Sequence, residues 1–246
     1  MIRNFLDLLA FSSILPLGRN RTIEGAAKSA FLYPLIGLII GLISASIVYL
    51  LSYLPSRMFF SILSVFFILL LEGFHHIDGA VDMGDALFVR DKSRRAEVMK
   101  DRFIGTGSIL SGFFTVFLLI AAFYEIKSFE RIAIFQYVLL AEFLSRTCAC
   151  FLLRLGKPLN KGMGLLFIRE MKPSKFIFSL ILAFVISMLF GIKGILSFLV
   201  LVLFSFIYLL FVKKEFGFMN GDLIGSGIEF SRIAILVFLI FSRWIL

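Results

Sequence analysis

The chain has 246 residues, of which 60% are Ala, Val, Ile, Leu, Met, Phe, Trp, Tyr or Cys and only 17% are charged; its mean hydropathy is +1.02. Soluble domains run near half apolar and a quarter charged, and the apolar residues here come in long unbroken runs, which excludes a soluble globular domain, a disordered chain and a disulfide scaffold. The 25 basic residues exceed the 16 acidic ones by nine, a surplus that in a membrane protein reports topology before it suggests nucleic acid.

The chain opens with MIRNFLDLLAFSSILPLG, one Arg and an apolar stretch broken by Asp7 with no cleavage site of small residues. This reads as a retained helix lying at the interface, not a signal peptide. A spanning helix takes about 20 apolar residues, and runs of that kind lie near 30–54, 58–74, 104–124, 131–153, 176–190, 195–212 and 227–246. The expected architecture is an all-α integral membrane protein of about seven transmembrane helices, within a range of six to eight, forming one polytopic domain over residues 1–246. Pro55 and Ser56 divide the first two spans and Gly191 to Gly194 the fifth and sixth, so each pair reads as a hairpin. Cys148 and Cys150 lie inside an apolar run and read as packing residues.

The remaining segments, about 1–29, 75–103, 154–175 and 213–226, fall on one side if there are seven spans, and they carry 18 of the 25 basic residues. By the positive-inside rule that side is the cytoplasm. The opposite connections are too short for an external domain.

Acidic residues are the informative minority. The densest group, Glu72, Asp78, Asp82 and Asp85, runs from the cytoplasmic end of the second span into the loop after it. Asp78, Asp82 and Asp85 are spaced i, i+4, i+7, which on a helix puts them within about 60° of one another. Like charges on one face repel and call for a compensating cation, and hard carboxylate oxygens open to phosphate suit Mg²⁺ or Mn²⁺. Arg90, Arg94, Arg95, Lys100 and Arg102 follow and could hold phosphate oxygens. Acid for metal beside base for phosphate is the composition of a phosphoryl-transfer site; solvated loop charges paired with one another are the plainer reading. His75 and His76 point about 100° apart on a helix and cannot both face the carboxylates, and no further ligands are at hand for zinc. Asn220-Gly221-Asp222 precedes the last span, and a Gly- and Lys-rich stretch with Lys157 and Lys161 follows the fourth as a candidate phosphate-facing loop. Glu142 and Arg146, four apart inside the fourth span, read as a mutually neutralising pair.

These residues resemble a known family. His76-Ile-Asp78-Gly79-Ala-Val-Asp82-Met-Gly-Asp85, then Met99-Lys-Asp101 and Ile104-Gly105-Thr106, is similar to the HxDGxxDxxD…MKDxxxGT signature of the cobalamin synthase (adenosylcobinamide-GDP ribazoletransferase) family. Leu15-Pro16, Tyr33-Pro34-Leu-Ile-Gly37, Arg146 with Gly162-Met-Gly164, and Gly221-Asp222-Leu-Ile-Gly225 with Glu229 resemble further pieces in the same order. The sequence departs at Ala86, where the family commonly has Gly, and at Phe103, where Arg is frequent. The resemblance implies an enzyme of the prokaryotic cell membrane with its active site facing the cytoplasm. It would transfer the adenosylcobinamide phosphoryl group from adenosylcobinamide-GDP to α-ribazole or α-ribazole 5'-phosphate, releasing GMP and requiring Mg²⁺. Asp78, Asp82, Asp85 and Asp101 would hold the metal. One carboxylate or His76 would take the proton from the ribazole 3'-hydroxyl, and the basic residues with Asp222 would bind substrate. The partners are then the two substrates and the lipid bilayer, with no nucleic acid and with room for a homo-oligomer. A CDP-alcohol phosphotransferase is the nearest rival, through the degenerate match of Asp82-Met-Gly-Asp85-Ala-Leu-Phe-Val-Arg90, and an ion-coupled transporter is a more remote one.

Overall fold

The computed structural model describes residues 1–18, 20–101, 103–159 and 162–243, and the described residues contain helices and no strands. In chain order these are α1 (Ile2–Phe11), α2 (Ile23–Lys28), α3 (Tyr33–Leu51), α4 (Arg57–Leu71), α5 (His75–Phe88), α6 (Arg95–Val98), α7 (Thr106–Ile126), α8 (Arg131–Leu155), α9 (Met163–Glu170), α10 (Pro173–Met188), α11 (Gly191–Glu215) and α12 (Gly221–Ser242). Local chemistry sets many of the starts. Thr22, Ser56 and Asn220 accept from the amides of Gly25, Phe59 and Leu223 and so cap α2, α4 and α12, and Pro34 and Pro173 stand in the first turns of α3 and α10.

Each of the seven apolar runs lies on a helix, and four helical segments, Ala30–Leu51, Thr106–Ile126, Gly191–Glu215 and Gly221–Ser242, are long and apolar enough to cross a bilayer. Two helix pairs bend at a short break, α4 to α5 by 96° and α9 to α10 by 83°, which gives up to six spans if each pair is one. At 25 residues α8 is also long enough to cross, but it carries Glu142 and Arg146. It forms the centre of the bundle: almost every residue from Tyr137 to Leu153 is buried, and it packs mainly against α3 and α12. The last helix begins at Gly221, so Asp222 and Gly225 lie on α12 itself and not in the segment before it, and Glu229 lies on the same helix as expected.

The bend after α4 positions everything that follows. Gly73 and Phe74 both adopt left-handed backbone, at φ +65° and +60°, while their amides bond back to Leu70 O and Leu69 O at 2.9 Å. Two such residues in a row turn the chain sharply. As a result α5 leaves the direction of α4 and lies across the ends of α7 and α12, against which it packs.

Candidate active site

Small residues let α5 dock closely. A Cβ on Gly79 would collide with the Asp222 carbonyl oxygen on α12, and one on Gly84 with the Gly107 carbonyl oxygen on α7. The Ser111 hydroxyl donates to Ala80 O at 2.6 Å, and that of Ser108 to Val81 O at 3.0 Å. The helix predicted from i, i+4, i+7 spacing is thus present, and its carboxylates turn to one place. Asp78, Asp82 and Asp85, with Lys100, Asp101 and Ser108, line a cavity of about 360 Å³.

The carboxylates are not alike. Partial burial first, then the charges of Asp78, Asp222 and Asp85, push the Asp82 carboxyl up to about 7. Burial also tends to raise Asp85, but the Ser108 hydroxyl and the amides of Gly105, Ser108 and Gly107 overcome it and hold this carboxyl below its ordinary value. Its Oδ2 accepts from Gly105 N and Ser108 Oγ, each at 2.6 Å, and its Oδ1 from Ser108 N at 2.8 Å. Asp85 therefore satisfies the open amides at the start of α7.

A second cavity of about 460 Å³ meets the first at Asp78, the residue common to both. Its walls come from α1 (Phe11), α3 (Tyr33), α5 (His75, His76), α8 (Leu153), α9 (Phe167) and α12 (Asp222, Ile228). The Phe11 and Phe167 rings pack 5.0 Å apart.

Beneath α5 lies a separate cluster of charge. Glu72, Glu142, Glu229, Arg146 and Arg232 are all at most 1% exposed. Arg146 bonds to Glu72 and Glu142. Arg232 bonds to Glu72, approaches Glu142 Oε1 at 2.8 Å and donates to Glu229 Oε2 at 2.6 Å. His76 Nδ1 stands 3.1 Å from Glu72 Oε2. Three carboxylates face two guanidiniums, so one proton, on His76 or on a carboxyl group, closes the charge balance. The expected Glu142–Arg146 pair exists, but as part of this larger network.

The family model described as cobalamin-5-phosphate synthase (CobS) matches residues 4–240. The chain belongs to the cobalamin-5-phosphate synthase family. Relatives named adenosylcobinamide-GDP ribazoletransferase include one from Thermoplasma acidophilum, 31% identical over 85% of this chain and 82% of its own length. Another, from Clostridioides difficile, is 28% identical over 97% of both chains, and one from Sulfolobus acidocaldarius is 32% identical over 94% of this chain and 89% of its own. No solved structure matches the chain.

In this cobalamin-5-phosphate synthase family member the basic residues separate. Lys100 stands at the carboxylate cavity. Arg95 was expected at phosphate, but it is buried, donating to Val89 O, Leu87 O and the Glu215 carboxylate. Its guanidinium holds the α5–α6 connection to the end of α11. Lys157 lines another groove, with Lys213 and Phe218, away from the carboxylates. Arg90 and Arg94 are exposed, and Arg102 and Lys161 lie outside the described residues. Both histidines line the larger cavity that meets Asp78, and neither lines the carboxylate cavity; His76 is also tied down to Glu72.

The donor set of the carboxylate cavity suits a hard cation, since its acidic donors are all oxygen and none of Asp78, Asp82 and Asp85 has an ion-pair partner among the described residues. Among the described residues these carboxylates do not bring three ligand atoms within 4.8 Å of one another, as a closed protein cage would. That spacing fits a metal that keeps its own waters and takes phosphate oxygens. Glu72, His76 and Glu229 bring ligand atoms within 4.8 Å of one another, yet they do not fit a cation, because Glu72 Oε1 already accepts from both arginines and Glu229 Oε2 from Arg232. Sequence reasoning passed over Ser108 and the joint role of Glu72, Glu229 and Arg232. The signal for the last pair was an acid and a base three apart in an apolar run.

Proposed function

We propose that this chain transfers the adenosylcobinamide phosphoryl group from adenosylcobinamide-GDP to α-ribazole or α-ribazole 5'-phosphate, with GMP as the leaving product. This is the last assembly step of cobalamin biosynthesis, and the chain is a transferase. The observation that carries the site assignment is the row Asp78, Asp82 and Asp85 on α5, which turns into one cavity with Asp101 and Lys100.

Asp78, Asp82 and Asp101 would hold Mg²⁺, with Asp85 offering at most the one lone pair its three hydrogen bonds leave free. The metal, when bound, neutralises charge on the diphosphate and on the departing GMP. Lys100 adds a positive point charge from the protein side. Asp85 fixes the start of α7 and the stretch leading into it, and so the position of Asp101 and Lys100. Asp78 stands between the two cavities and is the carboxylate best placed to take the proton of the attacking hydroxyl. His76 is held by Glu72 and orients the first turn of α5.

The 18 basic residues on one side support a cytoplasmic site in a prokaryotic cell membrane, with α8 completing a bundle of about seven spans. The full-length family match favours this reaction over a lipid phosphotransferase or a transporter. The test is GMP release from adenosylcobinamide-GDP and α-ribazole by detergent-solubilised protein. Turnover that is abolished by EDTA and restored by Mg²⁺ is the expected result; GMP release unaffected by EDTA would reject the metal assignment.

A further inference from the structure

A transfer between two large substrates needs two subsites that meet at the reacting hydroxyl. Here two cavities meet at Asp78, and their chemistry differs. The smaller one is ringed by carboxylates and Lys100. The larger is lined by buried apolar and aromatic side chains, with Tyr33 and Phe167 at 4% exposure and Leu153 and Ile228 at 1%, while Asp78, shared with the first cavity, Asp222 and the two histidines supply its polar side.

We infer that the larger cavity is the acceptor's chamber, holding the flat aromatic base of a benzimidazole nucleoside among Phe11, Tyr33 and Phe167, with its ribose directed at Asp78. This rests on the reaction proposed above and adds where each substrate lies. Two nucleobases compete for the chamber, the acceptor's and the guanine of the donor. Guanine presents several donors and acceptors along its edge, and those that face Leu153, Phe167 and Ile228 would lose their water without gaining partners, at about 1–3 kcal/mol each, since the polar side chains of this lining are limited to Tyr33, His75, His76, Asp78 and Asp222. A benzimidazole has no N–H once joined to ribose and a single ring acceptor, so burial costs it little. The aromatic walls favour a flat ring by stacking, and the volume of about 460 Å³ lies within the usual range for small-molecule sites. The corrinoid exceeds either cavity and stays outside, with only its phosphoryl arm and the diphosphate reaching the carboxylates.

With the ribose at Asp78, the acceptor oxygen attacks the phosphorus that bears the cobinamide ester. A new P–O bond forms to the ribose. The bond from that phosphorus to the bridging diphosphate oxygen breaks, GMP leaves with that oxygen, and the hydroxyl proton passes to the Asp78 carboxylate.

The experiment is equilibrium dialysis of α-ribazole alone, and separately of GDP with Mg²⁺, against the detergent-solubilised full chain and two variants. Phe167→Leu keeps an apolar side chain but removes a ring. Phe11→Ala alters a side chain that is already 38% exposed, so it preserves the test if the first variant fails to fold. Each variant is expected to raise the Kd for α-ribazole about tenfold, as loss of a stacking contact does, and to leave the Kd for GDP unchanged. Weakened GDP binding with unchanged α-ribazole binding would overturn the assignment, as would no change in either. Wild-type protein that binds α-ribazole in this ring-dependent way yet releases no GMP would reject the proposed reaction and leave the chamber standing.

Discussion

Two groups of acidic residues, one on α5 and the other on α8, α12 and the end of α4, lie close to each other, and they are built on opposite plans. Below α5, Glu72, Glu142 and Glu229 are sealed from solvent and interleaved with Arg146 and Arg232. On its open face Asp78, Asp82 and Asp85 share a cavity with one lysine and no arginine among the described residues. A buried charge must be matched inside the protein or it is lost to desolvation; a charge at an open cavity can be left for a ligand to match. The deep cluster has its counter-ions built in, and the open one waits for them.

The largest effect should come from breaking the closed cluster. Arg232→Ala leaves carboxylates buried beside one arginine and should destabilise the fold by about 3–5 kcal/mol, seen as a lowered Tm and poor recovery as a single species on gel filtration. Asp82→Asn should do the reverse: GMP release falls to background, while Tm in the absence of metal holds or rises because a like charge is gone. Near-normal turnover in this variant would sink the metal assignment.

Asp85→Asn lies between the two. It loses an acceptor for the Gly105 and Ser108 donors and should cost about 0.5–2 kcal/mol as a lost helix cap does, with a fall in GMP release that follows from the displaced Lys100–Asp101 segment. A drop in activity without any drop in Tm would show that Asp85 acts as a ligand only. A further effect is one of pH. The Asp82 carboxyl has an ordinary value of 3.8 and is raised to about 7 in the fold, so between these values the folded chain binds more protons than the unfolded one. Metal-free stability should then decline as pH rises across this window and level off above about 7. Asp82→Asn should flatten that slope, and saturating Mg²⁺ should flatten it too.

Much of this was legible in the residues. Hydropathy located every long helix, and the period of 3.6 put three aspartates on one face of α5 before any contact was known. The Glu142–Arg146 spacing pointed to a buried pair. What periodicity gives is the direction of a side chain about its own helix, and it is silent on the neighbour that will dock there. Asp85 looked the same as Asp82 in sequence, and only the approach of α7 through Gly84 and Gly107 makes one a cap and the other an unpaired acid. Arg95 sits in a basic run as an apparent phosphate ligand, yet the end of α11 arrives with Glu215 and claims it. Asn220 and Gly221 read as loop residues because their chemistry suits turns, and the same chemistry is what starts α12.

Glu72 is the last residue before the left-handed turn at Gly73 and Phe74, and His76 lies just beyond it. The ion network thus grips both sides of an elbow, and the angle of that elbow sets where the aspartate row points. The catalytic surface is aimed from within the lipid-embedded core, so a detergent that loosens the packing of α8 and α12 should disarm the enzyme without touching a residue that meets substrate.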